Sequence, residues 1–348
     1  MSQHSRRSLR LAFGAALSVA ALSLAACAGT PSADPSTSSS SSTAPEETVS
    51  INSLNVIAPA DPGGGWDQTA RSVAQAISGA GIVSSAPVTN IGGAGGTIGL
   101  AALATETDPY TLMITGSVMV GAVETNDSAV RIEDMTPMAR LTEEPLIIVV
   151  PESSPYQTIG EFVAAWVEQG AAMPITGGSA GGIDHILAGL LLTNAGVAAA
   201  DIPSTLNYIA NSGGGEALTL LLGNQVAAGI SGVGEFSEQV KAGKLRALAV
   251  SSSTPAALLP EVPTLTDEGI DVVLTNWRGL IAPGGISDAD ADALRGVLQR
   301  MYDDSDWTDI VASNGWTDAF LVGPDFDAFL ASDIVTTQDT LRTIGLIE

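Results

Sequence analysis

Gly177-Gly178-Ser179-Ala180-Gly181 fits G-x-S-x-G, the strand-to-helix elbow on which a serine hydroxyl can stand out as a nucleophile. Chemistry there requires a histidine base within hydrogen-bond reach of the hydroxyl. Apart from His4 the chain has one histidine, His185, six residues on in the helix that the elbow would open. A helix rises about 1.5 Å per residue, which puts that imidazole roughly a turn and a half past the serine, too far for the bond. A serine hydrolase using Ser179 is therefore the alternative reading, and no catalytic residue is assigned. Other enzyme signatures fail. The dinucleotide fingerprint G-x-G-x-x-G is broken at Ile98 after Gly93-Ala94-Gly95 and at Gln68 after Gly63-Gly64-Gly65. A phosphate-loop lysine is missing, since lysine occurs only at Lys241 and Lys244. A zinc site fails too, since beyond Cys27 one histidine and no thiolate are too few ligands. Asp288, Asp290 and Asp292 imitate a calcium loop, but Ala293 and Gln299 stand where its glycine and glutamate belong, so these acids are expected in the first turn of a helix. No metal and no cofactor is expected.

Four glycine clusters suggest binding instead. They are Pro62 to Asp67, Gly92 to Gly99, Gly177 to Gly182 and Asn211 to Glu216, most of them just before a helical pattern. Glycine lets the backbone turn sharply and bring the unpaired N–H groups of a helix start up to a ligand. Those groups and the helix dipole attract anions. Each loop could equally be a tight connection in a compact fold.

The elements that would position these loops are legible as alternation. Leu54 to Ala58, Thr111 to Thr115, Leu146 to Val150, Pro174 to Thr176, Gln225 to Ile230 and Leu245 to Ser251 read as strands. Trp66 to Ile77, Ile159 to Glu168, Asp184 to Asn194, Gly215 to Leu222 and Phe236 to Ala242 read as helices between them. Such alternation predicts an α/β protein with parallel sheets, and a ligand beyond the carboxyl ends of the strands.

The N-terminus reads as an export signal. Arg6, Arg7 and Arg10 precede an apolar run from Leu11 to Leu24, shorter than the ~20 residues that span a bilayer. Residues 1–26 are the expected signal peptide, and Leu24-Ala25-Ala26-Cys27 resembles a lipobox that would lipidate Cys27, the one cysteine. The paired arginines leave the general and the twin-arginine routes both open. Residues 27–48 are Ser, Thr and Pro with almost no apolar side chains, a tether rather than a core. The expected location is extracytoplasmic, lipid-anchored to the outer face of the cell membrane or periplasmic. The net charge of −25 becomes −28 once the three arginines leave with the signal, since no acid precedes Cys27. That surface repels nucleic acid. An anionic ligand would have to be held by local backbone dipoles and at most one arginine.

Pro62-Gly63-Gly64-Gly65-Trp66-Asp67 with Ala70-Arg71, and Gly92-Gly93-Ala94-Gly95-Gly96-Thr97-Ile98-Gly99, resemble the opening motifs of the TctC/Bug family, the extracytoplasmic receptors of tripartite tricarboxylate transporters. Gly223 to Val226, Ala242 to Val250, Pro260 to Thr264 and Trp277 to Pro283 extend the resemblance to nearly everything after the tether. At Ile209-Ala210-Asn211-Ser212 the chain departs from the family's shorter Lys-Gly-Gly stretch.

The resemblance implies a periplasmic-binding-protein type II fold, two α/β lobes joined by two crossing strands with a cleft between them. The crossings are expected near Leu146 to Val150 and Val272 to Trp277, with lobe 1 at 49–148 plus 273–348 and lobe 2 at 149–272. It implies a monomeric receptor that binds a small carboxylate, a tricarboxylate or dicarboxylate such as citrate. Delivery would be to the large and small membrane subunits of the transporter; a carboxylate sensor without a transport partner is the variant reading. Carried over, the ligand site comprises Asp61, Gly63, Gly64, Gly65, Trp66, Asp67, Gly95, Gly96, Thr97, Ser117, Ser179, Ala180, Gly181, Gly182, Asp184 and Arg278. Trp66 could be core instead, Asp67 and Asp184 could be helix-start acids, and Arg278 could be a strut at the hinge. The helix starts after Gly65 and Gly182 are expected to face each other and grip a carboxylate each.

Overall fold

The computed structural model describes residues 50–348; the expected signal peptide, Cys27 and the expected tether lie outside the described residues. The first elements are β1 (Asn55–Ala58), α1 (Gly65–Gly79), β2 (Val88–Asn90), α2 (Thr97–Leu103), β3 (Thr111–Gly116), α3 (Ser117–Thr125) and β4 (Thr136–Pro151). Then come α4 (Ile159–Gln169), β5 (Ile175–Gly177), α5 (Ile183–Asn194), α6 (Ile202–Thr205), β6 (Tyr208–Ala210), α7 (Gly214–Leu222), β7 (Ala228–Gly232), α8 (Val233–Lys241) and β8 (Leu245–Val250). The chain closes with β9 (Thr275–Ala282), α9 (Asp288–Tyr302), α10 (Ser305–Ser313), β10 (Thr317–Val322) and α11 (Pro324–Thr343).

Strands β2, β1 and β3 pair in parallel, and so do β6, β5 and β7. The purely parallel expectation is corrected by the long strands. Among the described residues β9 and β10 join only by antiparallel pairing, β8 joins β4 antiparallel beside one parallel bridge from Val250 to Thr264, and β4 is antiparallel to every neighbour. The reason is visible in β4, whose sixteen residues serve two sheets. From Thr136 to Pro145 it pairs with β9, and from Leu146 to Pro151 with β7 and β8. Pro145 has no N–H to donate, so the ladder can change partners there without leaving a buried donor unpaired.

Each sheet has its own core. Leu54, Val73, Leu112, Met138, Leu280 and Leu298 belong to one cluster of buried side chains, and Leu146, Phe162, Trp166, Leu187 and Ile230 to another. A third, smaller cluster around Phe236, Ile147 and Val149 covers the other face of the second sheet. Helix α11 joins both large cores: Phe326, Leu330 and Ile334 pack in the first, and Leu341, with Ile344 just past the helix, in the second. The three acids read as a false calcium loop do open a helix, with Asp288 and Asp290 in the first turn of α9 behind the Ser287 cap. Among the described residues no helix is long and apolar enough to cross a membrane.

Candidate functional site

A cavity of about 350 Å³ lies between the two sheets, within the size range of small-molecule sites. The first lobe contributes the start of α1 at Gly65 and Trp66 and the loop from Gly93 to Gly96, with Asn276 and Arg278 of β9 at its base. The second contributes Gly178 to Ala180, Asp184, the stretch Ala210 to Gly214 at the start of α7, and Ser231, Gly232 and Glu235 between β7 and α8. The lobes meet closely. A Cβ on Gly213 would sit 3.5 Å from the Cα of Gly64, and one on Gly95 would sit 3.2 Å from the Cβ of Ser179. Gly95 and Gly96 hold φ of 63° and 89°, which favours glycine over residues with a Cβ, and a side chain on Gly96 would also strike Trp66.

Of the sixteen residues carried over from the resemblance, Gly65, Trp66, Gly95, Gly96, Ser179, Ala180, Asp184 and Arg278 line this cavity. Trp66 does both tasks proposed for it, being 8% exposed in the first core while presenting its edge to the cavity. The other eight stand behind the wall because their polar groups are engaged in the turns that shape it. Gly63 N–H donates to Asp67, Gly64 N–H to the carbonyl of Asp61, and the Asp61 side chain packs on Gly92. Asp67 is salt-bridged to Arg71 at 2.8 Å and receives the Asn90 amide. Burial alone would push its carboxyl up, but these bonds and the one from Gly63 hold it below the usual range. The Thr97 hydroxyl donates to Ala94, and the Ser117 hydroxyl accepts from Trp277 N–H, tying α3 to β9. Gly181 N–H donates to His185 Nδ1 at 3.0 Å and Gly182 N–H to the carbonyl of Ser179.

These bonds agree with the reading that Ser179 lacks a base, and the expected facing of the helix starts is corrected. His185 is engaged with Gly181 and stacks on Tyr208 with centroids 4.2 Å apart, so it does not serve Ser179 as a base. Burial depresses it to about 4, keeping the ring neutral with Nδ1 as acceptor. The facing helix starts are also a different pair. Helix α1 is met by α7 rather than by the start after Gly182, and the amides of Gly65 and Gly214 both donate, at 3.2 Å each, to the same Oε1 of Glu235.

Behind this contact is a group of buried charges that sequence reasoning did not assemble. Arg278 and Glu144, both 3% exposed, form a salt bridge, and Arg278 Nη1 donates to the Thr69 hydroxyl at 3.1 Å. Burial pushes Glu144 up, against the pull of Arg278. Asp184 is pushed up to about 7, chiefly by burial and further by the charges of Glu235 and Glu144, although Gly178 N–H donates to it at 2.7 Å. Each charged group leans on a glycine whose missing side chain makes room: Arg278 on Gly65, Glu235 on Gly214, Glu144 on Gly232 and Asp184 on Gly178. Outside the sixteen, Gly93, Ala94, Gly178, Asn211 to Gly214 and Glu216 on the wall belong to the glycine clusters, and the residues missed altogether were Pro59, Ala60, Val118, Asn126, Ala210, Ser231, Gly232, Glu235 and Asn276. Among the described residues no group of three His, Cys, Asp or Glu side chains is arranged to hold a metal ion.

Three comparisons bear on this architecture. Residues 69–345 match the family model described as the tripartite tricarboxylate transporter family receptor. Protein BugT of Bordetella pertussis is 26% identical over 305 residues, covering 86% of this chain and 91% of BugT. The structure of periplasmic binding protein BugD superposes with a TM-score of 0.76 at 22% identity, covering 85% of this chain and 98% of BugD. That of R. palustris Rpa4515 with adipate gives a TM-score of 0.76 at 20% identity, covering 84% and 97%. The two lobes, the shared crossing strand and the cleft are those of the periplasmic-binding-protein type II fold. The chain belongs to the tripartite tricarboxylate transporter family receptors, and it is a solute-binding protein rather than an enzyme.

Proposed function

We propose that this receptor is an exported lipoprotein that captures a small carboxylate between its lobes and delivers it to the large and small membrane subunits of a tripartite transporter. The observation that carries the reading is the cavity between the lobes whose walls include glycine-rich helix starts from both, joined by Ser179 and Trp66. Oriented backbone N–H groups can hold a carboxylate without a cluster of cations. The likeness in fold to R. palustris Rpa4515 with adipate supports the same class of ligand. The ligand-contacting set is Gly65, Trp66, Gly95, Gly96, Ser179, Ala180 and Asp184, joined by Asn211, Gly214, Glu235 and Asn276. Arg278 acts as the strut beneath them. The lobes divide at 49–148 plus 273–348 and at 149–272.

A thermal-shift screen of small mono-, di- and tricarboxylates tests this. A ligand at a hundredfold over its Kd adds about 2.7 kcal/mol of stability, a rise of several degrees in the unfolding midpoint. A screen in which every acid leaves the midpoint in place would refute the carboxylate.

Anchoring is a separate expectation. Two acyl chains hold a protein on a membrane where one is marginal, so the wild type is expected in the membrane fraction and Cys27→Ala in the soluble one. Identical fractionation of the two would remove the lipid.

A further inference from the structure

Resting on the carboxylate reading above, we infer that Glu235 is a built-in occupant of the anion position between the lobes, and that the receptor therefore selects a ligand bearing one carboxylate and a protonated amine over a dicarboxylate. The position is defined by its donors. Oε1 of Glu235 receives Gly65 N–H from α1 of the first lobe and Gly214 N–H from α7 of the second, and the Ser231 hydroxyl donates to Oε2. Two helix-start amides and a strand hydroxyl converging on one carboxylate is the arrangement expected for a bound anion. Here a side chain of the protein supplies that anion.

The charge left around the cavity has one sign. Among the described residues the single cation on its wall is Arg278; its two Nη groups are engaged by Glu144 and Thr69, and its buried Nε has no hydrogen-bond partner. Asp184, Glu216 and Glu235 share the wall with it. A second carboxylate on a ligand would find the lobe-bridging donors already in use and carboxylates beside them. An ammonium there finds acceptors instead. One of these is unclaimed: Asn276, 6% exposed on the cavity wall, has an Oδ1 with no hydrogen-bond partner among the described residues. A buried acceptor without a donor is uncommon enough in folded proteins to mark a place where a donor arrives. The ligand's own carboxylate is left the part of the wall at Gly95, Gly96 and Ser179, where the neighbouring acid, Asp184, is engaged by Gly178 N–H.

Adipate, 6-aminohexanoate and hexanoate form a matched set of probes, alike in length and differing only in the far end. Calorimetry with the full chain is expected to show wild type binding 6-aminohexanoate at least tenfold more tightly than adipate, with hexanoate between them. In Glu235→Ala the order reverses, adipate gaining at least tenfold as its second carboxylate takes the vacated amides. Glu235→Gln, which keeps the shape and loses the charge, is expected to narrow the ratio. In ligand-free protein the Gly65 and Gly214 amide protons should lie downfield and move upfield together in Glu235→Ala. The inference about Glu235 is overturned if those two resonances ignore the substitution, or if wild type and Glu235→Ala rank adipate and 6-aminohexanoate alike. Failure of all three acids to bind either protein, with the amide shifts as expected, would instead sink the carboxylate reading on which the selectivity rests.

Discussion

Arg278→Met is expected to lower the unfolding free energy by about 3 to 5 kcal/mol, the loss typical when one partner of a buried ion pair is removed. Glu144 would remain at 3% exposure with its guanidinium gone, and Glu235 and Asp184 add like charge nearby. Desolvation of an uncompensated carboxylate outweighs whatever packing the methionine side chain supplies. The charge rather than the volume is what matters, so Arg278→Met combined with Glu144→Leu should recover most of the loss. Urea unfolding followed by circular dichroism measures both. A single variant within about 1 kcal/mol of wild type, or a double variant no better than the single, would show that the pair is not what holds the crossing strands together.

The second large effect is on binding. Ser179 stands on the second lobe's wall across from Gly95, beside the backbone proposed to receive the ligand's carboxylate. Ser179→Asp places a fixed negative charge there, acting both as an internal competitor and as a source of repulsion. Charge-assisted bonds contribute about 1.5 to 3 kcal/mol each, so losing even two of them to the new side chain weakens binding by more than a hundredfold. The fold should be unaffected, because Ser179 is only partly buried and the bond it gives the turn comes from its carbonyl. Arg71→Ala is the control. Its side chain is 55% exposed and is engaged with Asp67 and Asn90 behind the wall, so affinity should stay within a few-fold. Normal binding of a thermal-shift hit by Ser179→Asp in calorimetry would take this loop out of the site.

The sequence was informative wherever periodicity is local. Helix α5 begins one residue from its expected start, and β1, β5 and β8 lie within a residue or so of theirs. The first half of β4, Thr136 to Pro145, was not legible as a strand. It mixes Arg140, Thr142, Glu143 and Glu144 into the alternation: Arg140 pairs with Glu143 along the same strand, while Glu143 also meets Thr275 and Glu144 meets Arg278 on β9. The glycine loops were recognised as special, but the reason was only half right. Gly65 and Gly214 do face the cavity, yet both also accommodate a charged group, Arg278 from far along the chain at Gly65 and Glu235 from the next helix at Gly214. Glu235 itself looked like an ordinary acid in the first turn of an amphipathic helix, where acids are favoured by the dipole alone. Nothing in its neighbourhood signals that its carboxylate reaches Gly65, 170 residues away. The pairing of Arg278 with Glu144, 134 residues apart, is hidden for the same reason.

Helix α11 limits the geometry of opening. Two crossing strands alone would let the lobes turn about any axis that passes near both, as a plate swings on two flexible straps. Leu341 and Ile344 add a third point of attachment, clamped in the second core while the body of their helix belongs to the first. An axis that misses this point would drag both side chains out of their packing, at about 1.5 to 3 kcal/mol for each. The cheapest rotation is the one whose axis runs past all three attachments, which confines the swing to one plane and sets the direction from which a solute can enter.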